Sequence, residues 1–288
     1  MHTRKALESL SQNKEAASSE LYIYIDAPKK GSSAETIAAN EDVKKIIREK
    51  NWCGTVYSIE RENNLGLAAS VIDGVTKVIE KHGKAIVLED DLVVSPFFLQ
   101  YMNAALDKYA QDDKVISIHG YTYPVSQKLP ETFFLRGADC WGWATWKRGW
   151  DLFNADGSYL LQQIQKQQLI AAFNFNHTFD YMKMLQLQVQ GKNSSWAVRW
   201  YASAFLQGKL TLYPGKSLVQ NTGTDGGGTH VGSTEKYKIE LQQQPVMLND
   251  IPVEHNNKAF TAFADYFRAT HHNALSRLLM KIKYNLPL

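Results

Sequence analysis

The feature that most restricts the fold is an alternation of short apolar runs and amphipathic segments over the first 120 residues. Runs rich in β-branched and aromatic residues predict strands at residues 21–25, 54–59, 84–88 and 115–118. Apolar residues at three- and four-residue steps predict helices at residues 3–16, 35–49, 67–81 and 97–110. Because strands that alternate with helices usually pair in parallel, the sequence predicts an α/β fold.

Composition excludes several classes of protein. The 288 residues are 44% hydrophobic and 21% charged, which is typical of a globular chain. A net charge of +3 argues against a nucleic-acid partner. Cys53 and Cys140 lie far apart and fit a reduced, cytoplasmic setting. No apolar run approaches the roughly 18 residues that span a bilayer, so we expect a cytoplasmic protein without an anchor or export signal.

The pattern changes after residue 120. Four of the seven tryptophans lie between residues 141 and 150, and later segments mix helices with short strands such as 210–213. We therefore expect one α/β half (1–120), a second half of the same domain (121–235) and a C-terminal helical extension (236–288). The predicted helix at 256–284 is basic and amphipathic, which fits either peripheral contact with an anionic membrane or packing in a homodimer.

Acidic residues follow two of the predicted strands. Asp26 ends the first strand, and Glu89, Asp90 and Asp91 end the third. Ligands of open α/β sheets bind outside the carboxyl ends of the strands. Adjacent carboxylates repel one another, and a bound divalent cation usually neutralises this repulsion. Because carboxylates are hard oxygen ligands, they favour Mg²⁺ or Mn²⁺. The alternative is a solvated turn with clustered charge.

The segment from Ala85 to Phe98, which contains the acidic triplet, resembles the acidic motif of N-acetylglucosaminyltransferase I and its bacterial relatives. Those enzymes are glycosyltransferases of the GT-A fold, so the resemblance implies a Rossmann-like, mixed but mostly parallel sheet flanked by helices. It implies that Asp91 binds the metal, that Asp90 contacts the ribose and that Glu89 lies on the donor side. The half at 1–120 would then bind the nucleotide-sugar, and the half at 121–235 the acceptor.

A second resemblance concerns residues 61–69, which are similar to the Arg-x-x-Asn-x-Gly stretch of the large family of inverting bacterial glycosyltransferases. Arg61 would meet the diphosphate, and Asn64 and Gly66 would let the backbone approach it. The alternative is an N-terminal helix cap by Asn64 beside a surface arginine. Asp26 matches the position that holds the nucleotide base, or it simply starts the Asp-Ala-Pro turn.

Residues 136–146 resemble the segment that shapes the sugar pocket in such enzymes. Trp141 and Trp143 would form a platform for a sugar ring, and Asp139 would bind its hydroxyls. Core packing is the competing interpretation, because tryptophans are usually buried. The glycine-rich loop at 221–230 would close over the nucleotide and supply His230 as a further metal ligand; the alternative is an ordinary surface loop.

The sequence departs from the family in two respects. The first strand of the fold is missing, since a helix is predicted almost directly after Met1. The carboxylate expected near residues 196–200 is also absent, because Ala197 and Val198 stand there. Asp139, Asp180 and Asp225 are the candidate general bases.

These resemblances imply a metal-dependent, inverting glycosyltransferase that uses Mn²⁺ or Mg²⁺. The enzyme would transfer a hexosyl or N-acetylhexosaminyl unit to a saccharide or lipid-linked acceptor in surface polysaccharide synthesis. A location in the cytoplasm, peripheral at the inner membrane, fits such acceptors. One alternative is a non-catalytic carbohydrate-binding or scaffold protein derived from such an enzyme. Another is a sugar nucleotidyltransferase, although the glycine-rich phosphate loop of that class is not found near the N-terminus.

Overall fold

The computed structural model describes residues 2–223 and 235–271, and these form an α/β fold. The strands in this part of the chain are β1 (Glu20–Ile25), β2 (Thr55–Glu60), β3 (Lys84–Val87), β4 (Leu92–Val94), β5 (Val115–His119), β6 (Thr132–Arg136), β7 (Trp143–Trp146), β8 (Leu210–Pro214) and β9 (Val219–Asn221). The helices are α1 (His2–Ser11), α2 (Ala34–Arg48), α3 (Leu67–His82), α4 (Phe98–Lys108), α5 (Lys147–Trp150), α6 (Gly157–Lys166), α7 (Ile170–Phe173), α8 (Tyr181–Val189), α9 (Trp196–Leu206) and α10 (Asn257–His271).

The largest sheet has five strands in the order β3-β7-β5-β8-β6. Only the β5–β8 pair is parallel; the other three pairs are antiparallel. The prediction of a mostly parallel sheet is therefore wrong for this sheet. Two of the antiparallel pairs are made by β7, an aromatic segment that we expected to line a pocket. It lies instead between β3 and β5, and all its side chains are buried there.

Two smaller sheets flank the central one. β1 and β2 pair in parallel, as the strand–helix–strand pattern predicts. β4 directly follows the acidic triplet and pairs antiparallel with β9, so the chain beyond β9 is held beside Asp91. Neither β4 nor β9 was predicted, because three-residue strands carry no periodic signal.

Helix α3 shows how the sequence sets the position of an element. It begins after Gly66 and ends at Gly83, which have φ values of 76° and 74° that favour glycine. Val75 and Ile79 are buried on its inner face. Gly83 in the left-handed conformation ends the helix and turns the chain directly into β3.

Both halves of the chain build the same core. Strands β3 and β5 come from the first 120 residues, whereas β6, β7 and β8 come from later residues and interleave with them. One buried cluster lies between α4 and the sheet, and a second joins β6 and β8 to α6, α8, α9 and α10. The two predicted halves therefore form one folding unit around one sheet.

The C-terminal segment differs from the predicted helical extension. In the described residues the helix begins only at Asn257, and residues 236–256 contain no helix. Ala259, Phe263 and Phe267 of α10 are buried against β6 and α9 rather than left for another partner. The basic residues beyond His271, including Arg277 and Lys281, lie outside the described residues. None of the helices in residues 2–223 and 235–271 has the length and apolar character needed to cross a membrane.

Candidate functional site

The acidic triplet lies in the turn between β3 and β4, where the structure gives each carboxyl a different environment. Asp90 is exposed, whereas Glu89 and Asp91 are half-buried. Burial, followed by the charges of Asp91 and Asp90, raises the pKa of Glu89 to about 8, and a hydrogen bond with Trp196 opposes this rise. Glu89 therefore carries a proton at neutral pH, which relieves repulsion within the triplet.

Asp91 is fixed by the segment that follows β9. The backbone N–H and the hydroxyl of Thr222 both donate to the backbone oxygen of Asp91 at 2.8 Å. Burial and the charge of Asp90 raise the pKa of the Asp91 carboxyl, while a hydrogen bond with Asn221 lowers it. A side chain at Gly223 would collide with this carboxylate, so only glycine fits there.

One oxygen of Asp91 is available to a ligand. Oδ1 is buried and has no hydrogen-bond partner among the described residues. A buried carboxylate oxygen without a partner is costly, and a cation satisfies it. No three His, Cys, Asp or Glu side chains within residues 2–223 and 235–271 are grouped to hold a metal ion.

Asp139 lies in the turn between β6 and β7, together with Cys140 and Trp141. Its carboxylate accepts a hydrogen bond from the N–H of Cys140 at 2.8 Å and lies 3.9 Å from Nε2 of His119. The same His119 nitrogen accepts the backbone N–H of Trp141 at 3.1 Å. His119 is completely buried, and burial lowers the pKa of its imidazole, so it is neutral and fixes this turn.

The pairing of β3 with β7, which places Val87 opposite Trp143, brings the acidic triplet next to the turn that carries Asp139 and Cys140, and we call this place the recess. Burial raises the pKa of the Cys140 thiol well above the usual value, and the charges of Asp139, Glu89 and Asp91 raise it further. Glu89 and Asp91 of the triplet thus lie at the same recess as Asp139, which comes about fifty residues later in the sequence.

The two tryptophans of the predicted platform have different surroundings. Trp143 is completely buried and packs against Trp150, Trp196 and Trp200, so it offers no surface to a sugar. Trp141 is half-buried, with edge-to-face contacts to Tyr121 and Tyr237. The stacking role predicted for both tryptophans is therefore open only to Trp141.

Asp26, Asn64 and Gly66 form one turn at the start of α3. Asp26 accepts the N–H groups of Leu65 and Gly66, each at 2.8 Å, and the Asn64 amide donates to the backbone oxygen of Ala27 at 2.7 Å. The alternative in which Asn64 caps α3 is wrong, because Gly66 occupies that position. The Asp26 carboxylate therefore stabilises the turn before α3 by accepting two backbone N–H groups. This role goes beyond starting the Asp-Ala-Pro turn.

Arg61 is not an isolated surface residue. Its guanidinium pairs with Asp73 of α3 at 2.6 Å and lies over the ring of Tyr24. Only 12% of its side chain is exposed. A diphosphate would therefore have to share Arg61 with Asp73.

The remaining site predictions have separate outcomes. Asp180 caps α8 by accepting the N–H of Lys183 at 3.0 Å and also accepts from Asn174, which is a structural role. Asp225 and His230 lie outside the described residues.

Sequence reasoning missed two residues at the recess, His119 of β5 and Trp196 of α9, because each comes from an element distant in the sequence. Asn221 and Gly223 fall within the glycine-rich loop predicted at 221–230, but their contact with Asp91 was not predicted.

No protein-family model and no curated protein matches this chain. The resemblance of residues 85–98 to N-acetylglucosaminyltransferase I therefore stays a prediction from the motif itself.

Proposed function

We propose that this protein transfers a glycosyl unit, with inversion, from a nucleotide-sugar to a hydroxyl of a saccharide or lipid-linked acceptor, and that its fold is of the GT-A type. The observation that carries the proposal is the shared recess of Asp91 and Asp139. On one side lies the buried Oδ1 of Asp91, which has no hydrogen-bond partner in residues 2–223 and 235–271, and on the other lies the Asp139 carboxylate, which accepts a backbone N–H.

The residues present fit a hard divalent cation. Mg²⁺ and Mn²⁺ accept oxygen ligands, and Mg²⁺ sites commonly use one or two carboxylates together with substrate phosphates. Asp91 would supply one such carboxylate through Oδ1, which has no hydrogen-bond partner among the described residues. When bound, the cation would neutralise negative charge on the departing diphosphate as a Lewis acid.

Asp139 is the best candidate for the general base. Of the three candidates, Asp180 caps a helix and Asp225 lies outside the described residues, whereas Asp139 borders the recess. Asp139 would take the proton from the acceptor hydroxyl while that oxygen bonds to the anomeric carbon and the diphosphate leaves. Attack from the face opposite the leaving group inverts the configuration at that carbon.

Two further features suit the donor. The turn formed by Asp26 and Gly66 places the start of α3 at the carboxyl end of β1, the usual location for a nucleotide in an open α/β sheet. The half-buried ring of Trp141 adjoins Asp139 in the chain and offers an apolar surface to a sugar.

Calorimetry of the wild type and two isosteric variants tests the proposal. Uridine, guanosine, cytidine and thymidine diphosphates would be titrated with and without Mn²⁺. We expect Mn²⁺-dependent binding of one nucleotide, weakened roughly tenfold or more in Asp91→Asn because its metal ligand is lost. Asp139→Asn should bind normally yet transfer sugar about 100-fold to 10,000-fold more slowly, because removing a general base costs about that much.

The pairing of Arg61 with Asp73 favours a second candidate, a carbohydrate-binding protein without catalysis. In that case the arginine balances a neighbouring carboxylate rather than a diphosphate. Saccharide binding that needs neither nucleotide nor Mn²⁺, with no nucleotide binding in any titration, would establish this alternative and exclude the transferase.

A further inference from the structure

A groove with a volume of about 430 Å³ lies between α8 and the end of α10. Helix α8 contributes Lys183, Met184 and Leu187 to its lining, the turn before α8 contributes Phe179, and α10 contributes His271. Ligand sites in proteins are concave and mostly apolar, with a small number of polar groups. The groove has this character, and no step of the proposed reaction uses it.

The polar side chains at the groove stabilise the helix that lines it. The carboxylate of Asp180 accepts the N–H of Lys183 at 3.0 Å, and the amide of Asn193 donates to the backbone oxygen of Met184 at 3.1 Å. The surface that remains for a ligand is therefore formed mainly by rings and aliphatic chains, such as those of Phe179 and Leu187.

The turn that places Phe179 at the groove is strained. Residues 175–177 are not glycines, yet their φ values are 47°, 53° and 63°, a region that is costly for residues with a side chain. The N–H groups of Thr178 and Phe179 both donate to the backbone oxygen of Asn174, at 2.9 and 3.1 Å, and hold the turn. Strained backbone of this kind occurs most often at active sites and ligand sites. The turn is thus a second indication of a ligand in the groove.

A series of aromatic rings connects the groove to the recess. Trp141, next but one to Asp139 in the chain, contacts Tyr237 with ring centroids 5.3 Å apart. The Tyr237 hydroxyl and Nε2 of His271 form a hydrogen bond at 2.9 Å, and the His271 ring lies 4.9 Å from that of Phe179. All four rings are half-buried, so each retains some surface for a ligand.

The chemistry of these rings suits a saccharide. A sugar can place its apolar face on an aromatic ring while its hydroxyls reach the polar atoms at the ring edges. Trp141, Tyr237 and His271 all carry such polar atoms, which a hydrocarbon chain would remove from water without offering a hydrogen bond. Each step from ring to ring is comparable to the length of one sugar unit, so the series fits several units in a row.

The charges at the groove and the recess favour a neutral saccharide. Lys183 and Asp180 contribute opposite charges to the groove. At the recess, the carboxylate of Asp139 would repel an anionic acceptor. An uncharged saccharide is therefore the occupant that these side chains fit.

We propose that the groove between α8 and α10 binds the distal part of an extended, neutral saccharide acceptor whose reacting unit lies at the recess. This proposal rests on the acceptor side of the proposed function. The rings from Trp141 to Phe179 would bind the sugar units in between. The protein would then select its acceptor by length as well as by the unit that reacts.

Binding to an array of immobilised saccharides, without nucleotide or Mn²⁺, tests this groove separately from sugar transfer. The array would carry neutral and anionic series from monosaccharides to hexasaccharides. We expect the protein to bind the longer members of a neutral series roughly tenfold or more tightly than the monosaccharide, because further sugar units bury apolar surface. Leu187→Trp, which fills the groove, should lose this preference for length.

Val189→Trp is the matched control, because it places the same indole on an exposed position of α8 that does not line the groove. It should keep the preference of the wild type. Phe179→Ala removes a ring without filling the groove and should lose the preference as Leu187→Trp does. Circular dichroism would confirm that each variant is folded.

Three results would overturn the proposal. The first is equal binding of short and long saccharides, and the second is a preference for length that survives in both Leu187→Trp and Phe179→Ala. The third is the absence of saccharide binding; if cis-parinaric acid then binds the wild type and Val189→Trp but not Leu187→Trp, the groove takes a hydrocarbon chain. A preference for length without nucleotide binding in calorimetry would support the groove site and contradict the transferase.

Discussion

His119 links the stability of the recess to pH. The unfolded chain takes up a proton on this histidine near pH 6.5, whereas burial lowers its pKa in the folded state. Because the unfolded state then binds more protons, stability is lost as pH falls below about 6.5. Between pH 7.5 and pH 5 this residue should contribute a decline of up to about 1.4 kcal/mol per pH unit, while Glu89, with its pKa raised to about 8, contributes a change of the opposite sign over the same range. The contribution of His119 is therefore measured by urea unfolding as the difference between the wild type and a variant without the imidazole.

Replacing the imidazole isolates its contribution. His119→Gln keeps an acceptor for the N–H of Trp141 but cannot become charged, so the free energy of unfolding of this variant should rise relative to that of the wild type as pH falls from 6.5 to 5. His82→Gln, which changes a partly exposed histidine away from this turn, is the control for the substitution itself. Identical slopes in wild type and His119→Gln would show that another group carries the pH dependence.

At the scale of elements, two glycines shape the turn that carries Asp139. Gly137 and Gly142 have φ values of 106° and 67°, and a side chain on Gly142 would collide with Val219 and crowd Phe98. Gly142→Ala should therefore cost about 1–2 kcal/mol of backbone strain and about 1–3 kcal/mol of overpacking. Gly191→Ala is the matched control, since Gly191 has φ 70° but open space around it. Equal losses in urea unfolding would mean that the packing around Gly142 adjusts freely.

The same turn explains what could be predicted from the sequence. Apart from the three-residue β4, the strands and the longer helices of the first 120 residues were predictable, because helical and strand periodicities are local. β7 could not be predicted, because its partners β3 and β5 are selected by contacts across the whole sheet.

Trp141 and Trp143 are two residues apart and would share a face in a regular strand. The left-handed Gly142 between them separates the ring beside the recess from the ring in the core.

At the scale of the whole molecule, the site depends on the sheet. The triplet could be identified from the sequence because it directly follows an apolar run. Its proximity to Asp139 in space could not be predicted. That proximity requires β7 to lie beside β3, which places the β6–β7 turn next to the β3–β4 turn. The fold thus brings the two acidic segments together through strand order, and strand order is a property of the complete chain.

This shared sheet also predicts cooperative unfolding. Phe267 of α10 is completely buried, with ring contacts to Tyr123 and Phe175, so Phe267→Ala should cost about 3–5 kcal/mol. Tryptophan fluorescence reports on a different cluster, which contains Trp143, Trp150, Trp196 and Trp200. If the molecule unfolds as one unit, Phe267→Ala should lower the urea midpoints from fluorescence and from circular dichroism together.

The control is Met247→Ala, which changes an exposed side chain and should shift neither midpoint. A fluorescence midpoint that stays in place while the circular dichroism midpoint falls would show that the α10 cluster unfolds separately from the recess.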